Sequence, residues 1–375
     1  GSMWTKALNA KQGGGCGNVY FNRLRASRFA ARGLCDHEAK YTMFAQLMHQ
    51  VHYRGAGKLR TSGQAWSAQF RGEGSIDAGG PYRESITNVS TELQSRTLPL
   101  LVQCPNYNND AGLNREKWVL NPTATRTMHL AMLEFFGKLM GLALRTHDHM
   151  PLDLPSLLWK QLVGSEVTFA DLDAIDSLAC KVLARIKKLT LGDLRAGAGA
   201  GMGDEDSEDG TAAVAAAAQE GVDMATMTDE ELQSMPLGEY FVTTLSDGTE
   251  VELKPNGKAI PVTFANRNEW VDLVVQTRLY ESKRQADAIR RGLSAVVPLK
   301  LLPLLNWREL EVHVCGRPVL DVQLLKANTT YGGCNAKDEH IQFFWQVRGF
   351  ACAVCGCVCR VHGVHSQFVA MLPRP

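Results

Sequence analysis

Charge of neither sign dominates this sequence: 40 lysines and arginines face 39 aspartates and glutamates, a formal net charge of +1. Without a long-range field, neither nucleic acid nor an anionic membrane is singled out as a partner, and recognition falls to local surface. The basic stretch Arg23, Arg25, Arg28 and Arg32 has no interleaved aromatic platform beyond Phe29, which argues further against nucleic acid. No apolar run reaches the roughly 18 residues of a membrane span, and the first residues lack the apolar stretch of a secretion signal. A soluble, cytoplasmic protein is the expectation, its opening Gly-Ser-Met read as an expression scar or the cut end of a larger protein. A disulfide framework is also missing: Cys16, Cys35, Cys104, Cys180, Cys315 and Cys334 stand singly, as reduced thiols do. Gly72-x-Gly and Gly79-Gly80 are followed by no Gly-Lys-Ser/Thr, so a strand-turn explains them better than a phosphate loop. No internal repeat is visible.

What is present is an ordinary globular composition, 375 residues with 45% hydrophobic and 21% charged, enough for one large domain or two smaller ones. Residues 1–39 read as irregular. Phe44, Leu47, Met48 and Val51 then fall at helical spacing. Trp66, Ala68 and Phe70 alternate as a strand does, the glycines up to Gly80 permit tight turns, and Ile86, Val89 and Leu93 resume helical spacing. Between 122 and 145 the apolar residues are too many for one exposed-face stripe, which predicts a buried helix. Within it, Gly137 and Gly141 leave room for close approach by another element. Helices are also expected from Leu152 to Leu162 and from Asp171 to Leu189. Over 195–222 glycine, alanine and the acidic run Asp204–Asp209 predict a flexible surface insertion. Short strands over Tyr240–Glu252 and helices over Asn268–Tyr280, Ser282–Leu293 and from Asn306 complete the pattern. Asp77 and Arg83-Glu84 suggest an ion pair fixing the turn, and His147-Asp148-His149 reads as a solvated loop in preference to a metal site.

The punctuating motifs occur together and in order: Gly72-Glu-Gly-x-x-Asp77-x-Gly-Gly80-x-x-Arg-Glu84, Phe135-Phe-Gly-x-x-x-Gly-Leu-Ala143, Leu157-Leu-Trp-Lys160, Leu253-Lys-Pro-Asn-Gly257, Asn266-Arg-x-Glu-Trp-Val271, Glu309-Leu-Glu-Val-x-Val-Cys-Gly316, and Thr330-Tyr-Gly-Gly333 before Phe344-Trp345. Over about residues 66–350 they resemble the HECT-type ubiquitin ligases, closest in tone to the giant members with RCC1-like repeats. The resemblance implies an α+β, mainly helical N-terminal lobe over 40–350 with a small conjugating-enzyme-binding subdomain at about 171–280. In that family a second lobe follows, whose cysteine accepts ubiquitin as a thioester and passes it to a substrate lysine. Thiolate chemistry suits the task, because the thiolate is a good nucleophile near neutral pH and the thioester stays reactive towards amines.

The implied partners are a ubiquitin-conjugating enzyme carrying ubiquitin, ubiquitin itself and a substrate protein. No cofactor is implied. Carried over by motif, the conjugating-enzyme contacts are Leu183, Ile186 and Leu189 on one helix and Trp270 with Val274 on another. Leu183 and Ile186 lie three apart, Trp270 and Val274 four apart, so each pair shares a helix face. The competing reading is that they are plain core residues. The family's Thr-Cys-Phe occurs nowhere in the sequence, so no catalytic residue is assigned. Loss of the second lobe leads to the expectation that Phe343, Phe344 and Trp345 are partly exposed.

The tail over 351–375 places Cys352, Cys355, Cys357 and Cys359 before His362 and His365. Thiolate and imidazole suffice for a tetrahedral zinc, yet the long spacer that lets two ligand pairs wrap one ion is missing. The alternative is sequence foreign to the domain, from another exon, a retained intron or a frame change after Phe350.

Overall fold

The alternation at Trp66, Ala68 and Phe70 does form a strand, but its partner comes from the stretch that reads as irregular. The structure, a computed structural model, describes residues 13–74, 79–195 and 227–316, together with 326, 329, 335, 337–339 and 341–345. Strand β1 (Asn18–Phe21) pairs in parallel with β2 (Ser67–Phe70), and α1 (Arg23–Ala30) follows at once. The expectation of an irregular 1–39 is thus corrected at these two elements. Their signal is short: β1 buries only Val19 and Phe21, and α1 buries only Ala26 and Phe29.

Helix α2 (Met43–Val51) closes the outer edge of β1 with side-chain amides. Gln50 accepts a hydrogen bond from the Tyr20 N–H (2.9 Å) and donates to its carbonyl (2.8 Å). Gln46 does the same for Asn22, at 2.7 and 3.2 Å, so two glutamines stand in for a third strand. The N-terminus of α2 is held by Glu92, whose two carboxylate oxygens accept from the N–H groups of Met43 (2.9 Å) and Phe44 (2.8 Å). Glu92 belongs to α3 (Gly80–Leu93), where Ile86, Val89 and Leu93 are buried as their spacing predicts. Asp77 lies outside the described residues. Among the described residues Arg83 meets Asp148 at 3.5 Å and Glu84 meets Arg23 at 2.8 Å.

Next come β3 (Leu101–Gln103), the short α4 (Pro105–Asn108) and β4 (Trp118–Leu120), which pairs antiparallel with β3. Helix α5 (Thr127–Thr146) is long and apolar enough by composition to cross a membrane, but most of its apolar window is buried inside the fold. After α6 (Ser156–Val163), the single helix expected from Asp171 to Leu189 is two: α7 (Phe169–Asp173) and α8 (Ser177–Lys188). The break follows from capping. Thr168 and Asp171 form a reciprocal capping box on α7, and Asp176 accepts from the Ala179 N–H to start α8.

The chain continues through α9 (Leu191–Arg195), α10 (Asp229–Ser234), β5 (Pro236–Tyr240), β6 (Val242–Thr244), β7 (Glu250–Glu252) and β8 (Pro261–Thr263). β5 pairs with β8 and β6 with β7, both antiparallel. α11 (Arg267–Tyr280), α12 (Lys283–Val296) and α13 (Trp307–Cys315) follow. The insertion beyond Arg195, Thr330–Gly333 and the tail cysteines lie outside the described residues. Phe343 is 65% exposed and Phe344 half-buried, whereas Trp345 is buried, so the expected exposure holds for two of these three.

The main core is organised around α5 and α12. A Cβ at Gly137 would sit 1.9 Å from the Ile289 carbonyl oxygen, and one at Gly292 would sit 1.8 Å from that of Glu134. At Gly141 it would fall 2.9 Å from the Val296 Cβ. The two backbones therefore touch, as Gly137 and Gly141 suggested. Around them pack Phe135, Phe136, Leu139, Met140, Ile289 and Leu293, all buried.

Two outcomes are expected. Ala is the better helix former, yet Gly292→Ala should destabilise by on the order of 3 kcal/mol in urea unfolding, because backbone has to move. Gly80→Ala, with open space around its Cβ, should stay within about 0.5 kcal/mol. Burial raises the Glu92 carboxyl from 4.5 to about 7 against the two N–H donors, with Asp36 adding to the rise. A raised carboxyl binds its proton more tightly in the folded state, so this contribution is complete below about pH 4.5 and is lost as pH rises through 7, in all about 3 kcal/mol. Glu92→Gln should flatten the fall in stability between pH 5 and 8; an unchanged slope would show that another group titrates.

Candidate functional site

The five residues assigned from sequence come together in one place. Leu183, Ile186, Trp270 and Val274 are buried in a single apolar cluster with Leu194, Leu232, Leu237, Phe241, Val262, Phe264 and Val271, and Leu189 packs half-buried against it. All its members lie between 182 and 275: α8 and α11 supply most of them, β5 and β8 supply Leu237 and Val262, Leu194 and Leu232 come from α9 and α10, and Phe241 and Phe264 flank the strands. Trp270 is 6% exposed, and its indole N–H donates to the Tyr240 carbonyl at 2.9 Å. These four side chains therefore build the interior of the small subdomain, where the competing reading of Leu183, Ile186, Trp270 and Val274 as plain core residues puts them.

Leu189 caps α8, and its carbonyl accepts from the Arg267 guanidinium at 3.0 Å. Arg267 in turn lies over the Phe264 ring at 3.6 Å and donates to the Phe264 carbonyl. On the opposite edge Lys254 sits 3.5 Å from the Phe241 ring centre and pairs with Glu269 at 3.0 Å. Lys187 on α8 meets Asp272 on α11 at 2.8 Å, tying the two helices at the surface.

Of the apolar side chains that do reach solvent, only Leu189 was assigned in the sequence. Leu178 is exposed and Val182 half-buried, one turn apart on α8, with Leu189 just beyond the helix end; Leu273 and Val275 on α11 are half-buried, and Tyr240 is 48% exposed. Their signal was present in the amphipathic pattern of α8, but sequence spacing cannot separate the inner edge of a stripe from its outer edge.

A buried polar cluster roots this subdomain in the rest of the fold. Arg278, near the end of α11, bonds Asp176, the N-cap of α8, at 2.9 Å and Glu281 at 3.0 Å, with all three side chains no more than 6% exposed. The Ser246 hydroxyl lies 3.3 Å from the Arg278 guanidinium, and the Ser246 N–H donates to Glu281 at 3.3 Å, which brings in the β6–β7 turn. Burial pushes the Glu281 carboxyl up, and Arg278 opposes the rise. Residues more than a hundred positions apart meet here, so no local pattern could announce it.

Four of the described thiols are held protonated by burial. Burial raises Cys16, Cys35 and Cys104, and it pushes Cys180 up to about 12. All four are protonated near neutral pH and poor nucleophiles. Among the described residues, no three His, Cys, Asp or Glu side chains converge to hold a metal.

An apolar subdomain built from two helices and short hairpins, rooted by ions on a larger helical body, is the arrangement the motifs imply. The HECT-domain (ubiquitin-transferase) family matches over residues 87–350. The chain belongs to the HECT family. Its relatives include human "E3 ubiquitin-protein ligase HERC2", 32% identical over 330 residues that make 88% of this chain and 6% of that protein. Human "Probable E3 ubiquitin-protein ligase HECTD4" is 30% identical over 77% of this chain and 7% of its own length. "E3 ubiquitin-protein ligase RSP5" of Chaetomium thermophilum is 26% identical over 88% of this chain and 34% of its own. The HECT sequence described here thus spans a small part of the curated relatives it matches.

For this HECT subdomain the expected consequence of burial is energetic. Trp270→Ala should cost about 3–5 kcal/mol in chemical denaturation, the range for emptying a buried aromatic site. Trp270→Phe should cost less, about 1–2 kcal/mol, mainly for the Tyr240 carbonyl left without its donor. A Trp270→Ala protein of unchanged stability would return this residue to the surface.

Proposed function

We propose that this chain serves a HECT ubiquitin ligase by docking a ubiquitin-conjugating enzyme on its small subdomain, through the solvent-facing edge of α8. The observation that carries the reading is the apolar rim of Leu178, Val182 and Leu189, held in place by buried Leu183 and Ile186 behind it. Exposed apolar side chains on a rigid helix are a common form of helix-borne docking surface. Lys181 and Arg185, exposed beside the rim, add charge that helps encounter more than affinity. Leu183, Ile186, Trp270 and Val274 act indirectly, as the core that fixes the rim.

In ubiquitin transfer by this family, the chemistry is exchange between thioesters followed by attack of a lysine amine. Exchange of one thioester for another is nearly isoenergetic, so holding the donor in position is the main contribution a docking surface makes. Cys16, Cys35, Cys104 and Cys180, their thiols raised by burial, are poorly suited to that exchange.

A second reading follows from the absence of Thr-Cys-Phe among the 375 residues: the chain docks a conjugating enzyme without itself forming a thioester, as a scaffold or decoy. Titration against a panel of ubiquitin-charged conjugating enzymes, read by binding and on non-reducing gels, addresses both. Val182→Asp should weaken binding about tenfold or more, with only a modest fall in the unfolding midpoint from its half-buried packing against the cluster, and no thiol-sensitive ubiquitin adduct should form. Unchanged binding by Val182→Asp would remove the rim from the docking surface. A reducible adduct would show that one of the ten cysteines accepts ubiquitin and would end the scaffold reading.

A further inference from the structure

The cations of the small subdomain are unequally committed. Lys187 pairs with Asp272 at 2.8 Å, Lys254 with Glu269 at 3.0 Å, Lys258 with Glu250 at 2.9 Å and Arg195 with Asp229 at 2.5 Å. Arg267 donates to the Leu189 carbonyl, and Arg278 is enclosed by Asp176 and Glu281. Among the described residues between 171 and 281, the lysines and arginines left with neither an ion pair nor a hydrogen bond are Lys181, Arg185 and Lys188. All three are exposed, and all three stand on α8.

They follow one another at intervals of four and three residues, so they form one stripe along the helix. Lys181 comes three positions after Leu178 and Arg185 three after Val182, which sets the stripe directly beside the apolar rim. No acidic residue occurs within α8 itself. The acids that flank it are engaged: Asp176 is buried on Arg278, Asp272 holds Lys187, and Asp193 accepts from the N–H and the hydroxyl of Thr190 at 2.8 and 2.6 Å. Asp173 is exposed and makes no ion pair among the described residues, but it precedes the helix, whereas Arg185 and Lys188 occupy the last turn.

Cations in a last turn complement the helix dipole, which accounts in part for Arg185 and Lys188. It does not account for Lys181, in the second turn. Like charges three and four residues apart oppose helix formation. A stripe left uncompensated, while Lys187, Lys254 and Lys258 each hold a carboxylate, marks a face whose counter-charge comes from outside.

We propose that α8 selects, among ubiquitin-conjugating enzymes, those whose docking face carries carboxylates around an apolar side chain, and rejects those with a basic face. This rests on the docking reading above and adds selectivity to it. The rim offers apolar contact to either kind, whereas Lys181, Arg185 and Lys188 attract acidic neighbours and repel basic ones. Exposed charges act over about one Debye length, roughly 8 Å at physiological salt, so the selection is strongest at low ionic strength.

The test titrates the full chain against two ubiquitin-conjugating enzymes chosen for opposite charge on the surface they present to ligases. The acidic-faced enzyme should bind about tenfold or more tighter in about 50 mM salt, and the difference should shrink several-fold by about 0.5 M. In the triple variant Lys181→Glu, Arg185→Glu and Lys188→Glu the preference should invert, and a gain for the basic-faced enzyme excludes misfolding as the cause. The milder pair Lys181→Gln and Arg185→Gln should narrow the preference about threefold with the unfolding midpoint held or raised; no narrowing would overturn the proposal. An unchanged order of the two enzymes after charge reversal, while Val182→Asp still weakens both, would overturn the selectivity and leave the docking reading standing. No effect of Val182→Asp would remove both together. Binding of the acidic-faced enzyme only after deletion of residues 199–223 would overturn the proposal differently, by making the chain's own acidic run Asp204–Asp209 the occupant of the stripe.

Discussion

Backbone contact between α5 and α12, permitted by Gly137, Gly141 and Gly292, is the constraint from which the other placements follow. With no side chains between them, the two helices have a fixed separation and a fixed register, and any rotation would drive a carbonyl into a neighbouring Cβ or backbone. α12 then organises what surrounds it. Its Gln285 amide donates to the carbonyls of Asn121 and Pro122, and its Ala295 carbonyl accepts the Arg60 guanidinium from far earlier in the chain. Only Glu281 and Ser282 separate α12 from α11. Fixing one helix therefore fixes where the next departs, and α11 carries the small subdomain.

The subdomain is joined to the body by a different kind of contact. Its apolar interior is its own, overlapping the neighbouring cluster of Val119, Leu157, Ile175 and Leu279 only through half-buried Val275. At the root, Arg278 collects Asp176, Glu281 and Ser246 from three elements. Buried ion pairs give back in attraction much of what they lose in hydration, so a cluster of this kind contributes more to orientation than to net stability. The angle at which α8 presents its outer edge is set by these few directional bonds, whereas the firmness of the edge is set by the apolar packing behind it.

How far the sequence announced this depends on the range of each interaction. The long apolar helix, the glycine pair within it, the alternation at Trp66–Phe70 and the stripe of α3 all rest on local periodicity, and each was legible. The first strand was not, because four residues with two buried side chains resemble a loop, and its edge is closed by glutamines from another helix. Motif spacing brought Leu183, Ile186, Trp270 and Val274 to the right subdomain. It did not say which way they point, since a helix face that packs inward and one that binds a partner share the same three- and four-residue spacing. The Arg278 cluster arises only when distant segments meet, and it leaves no local mark.

The separation in sequence between the two halves of the central helix pair carries a consequence in time. Among the described helices α5 is the one long and apolar enough to cross a membrane, yet the surface that covers it, around Ile289 and Gly292, is synthesised about 150 residues later, roughly ten to thirty seconds at ribosomal speeds. During that interval Phe135 can already meet the rings of Phe44 and His52, but the face of α5 that α12 covers stays open, and loop closure over such a span is intrinsically slow. A nascent chain of this kind passes through a stage in which its future centre is its stickiest surface. The glycines that make the finished pair so close do nothing to protect it before the second helix arrives, so the birth of this domain depends on whatever shelters α5 in the meantime.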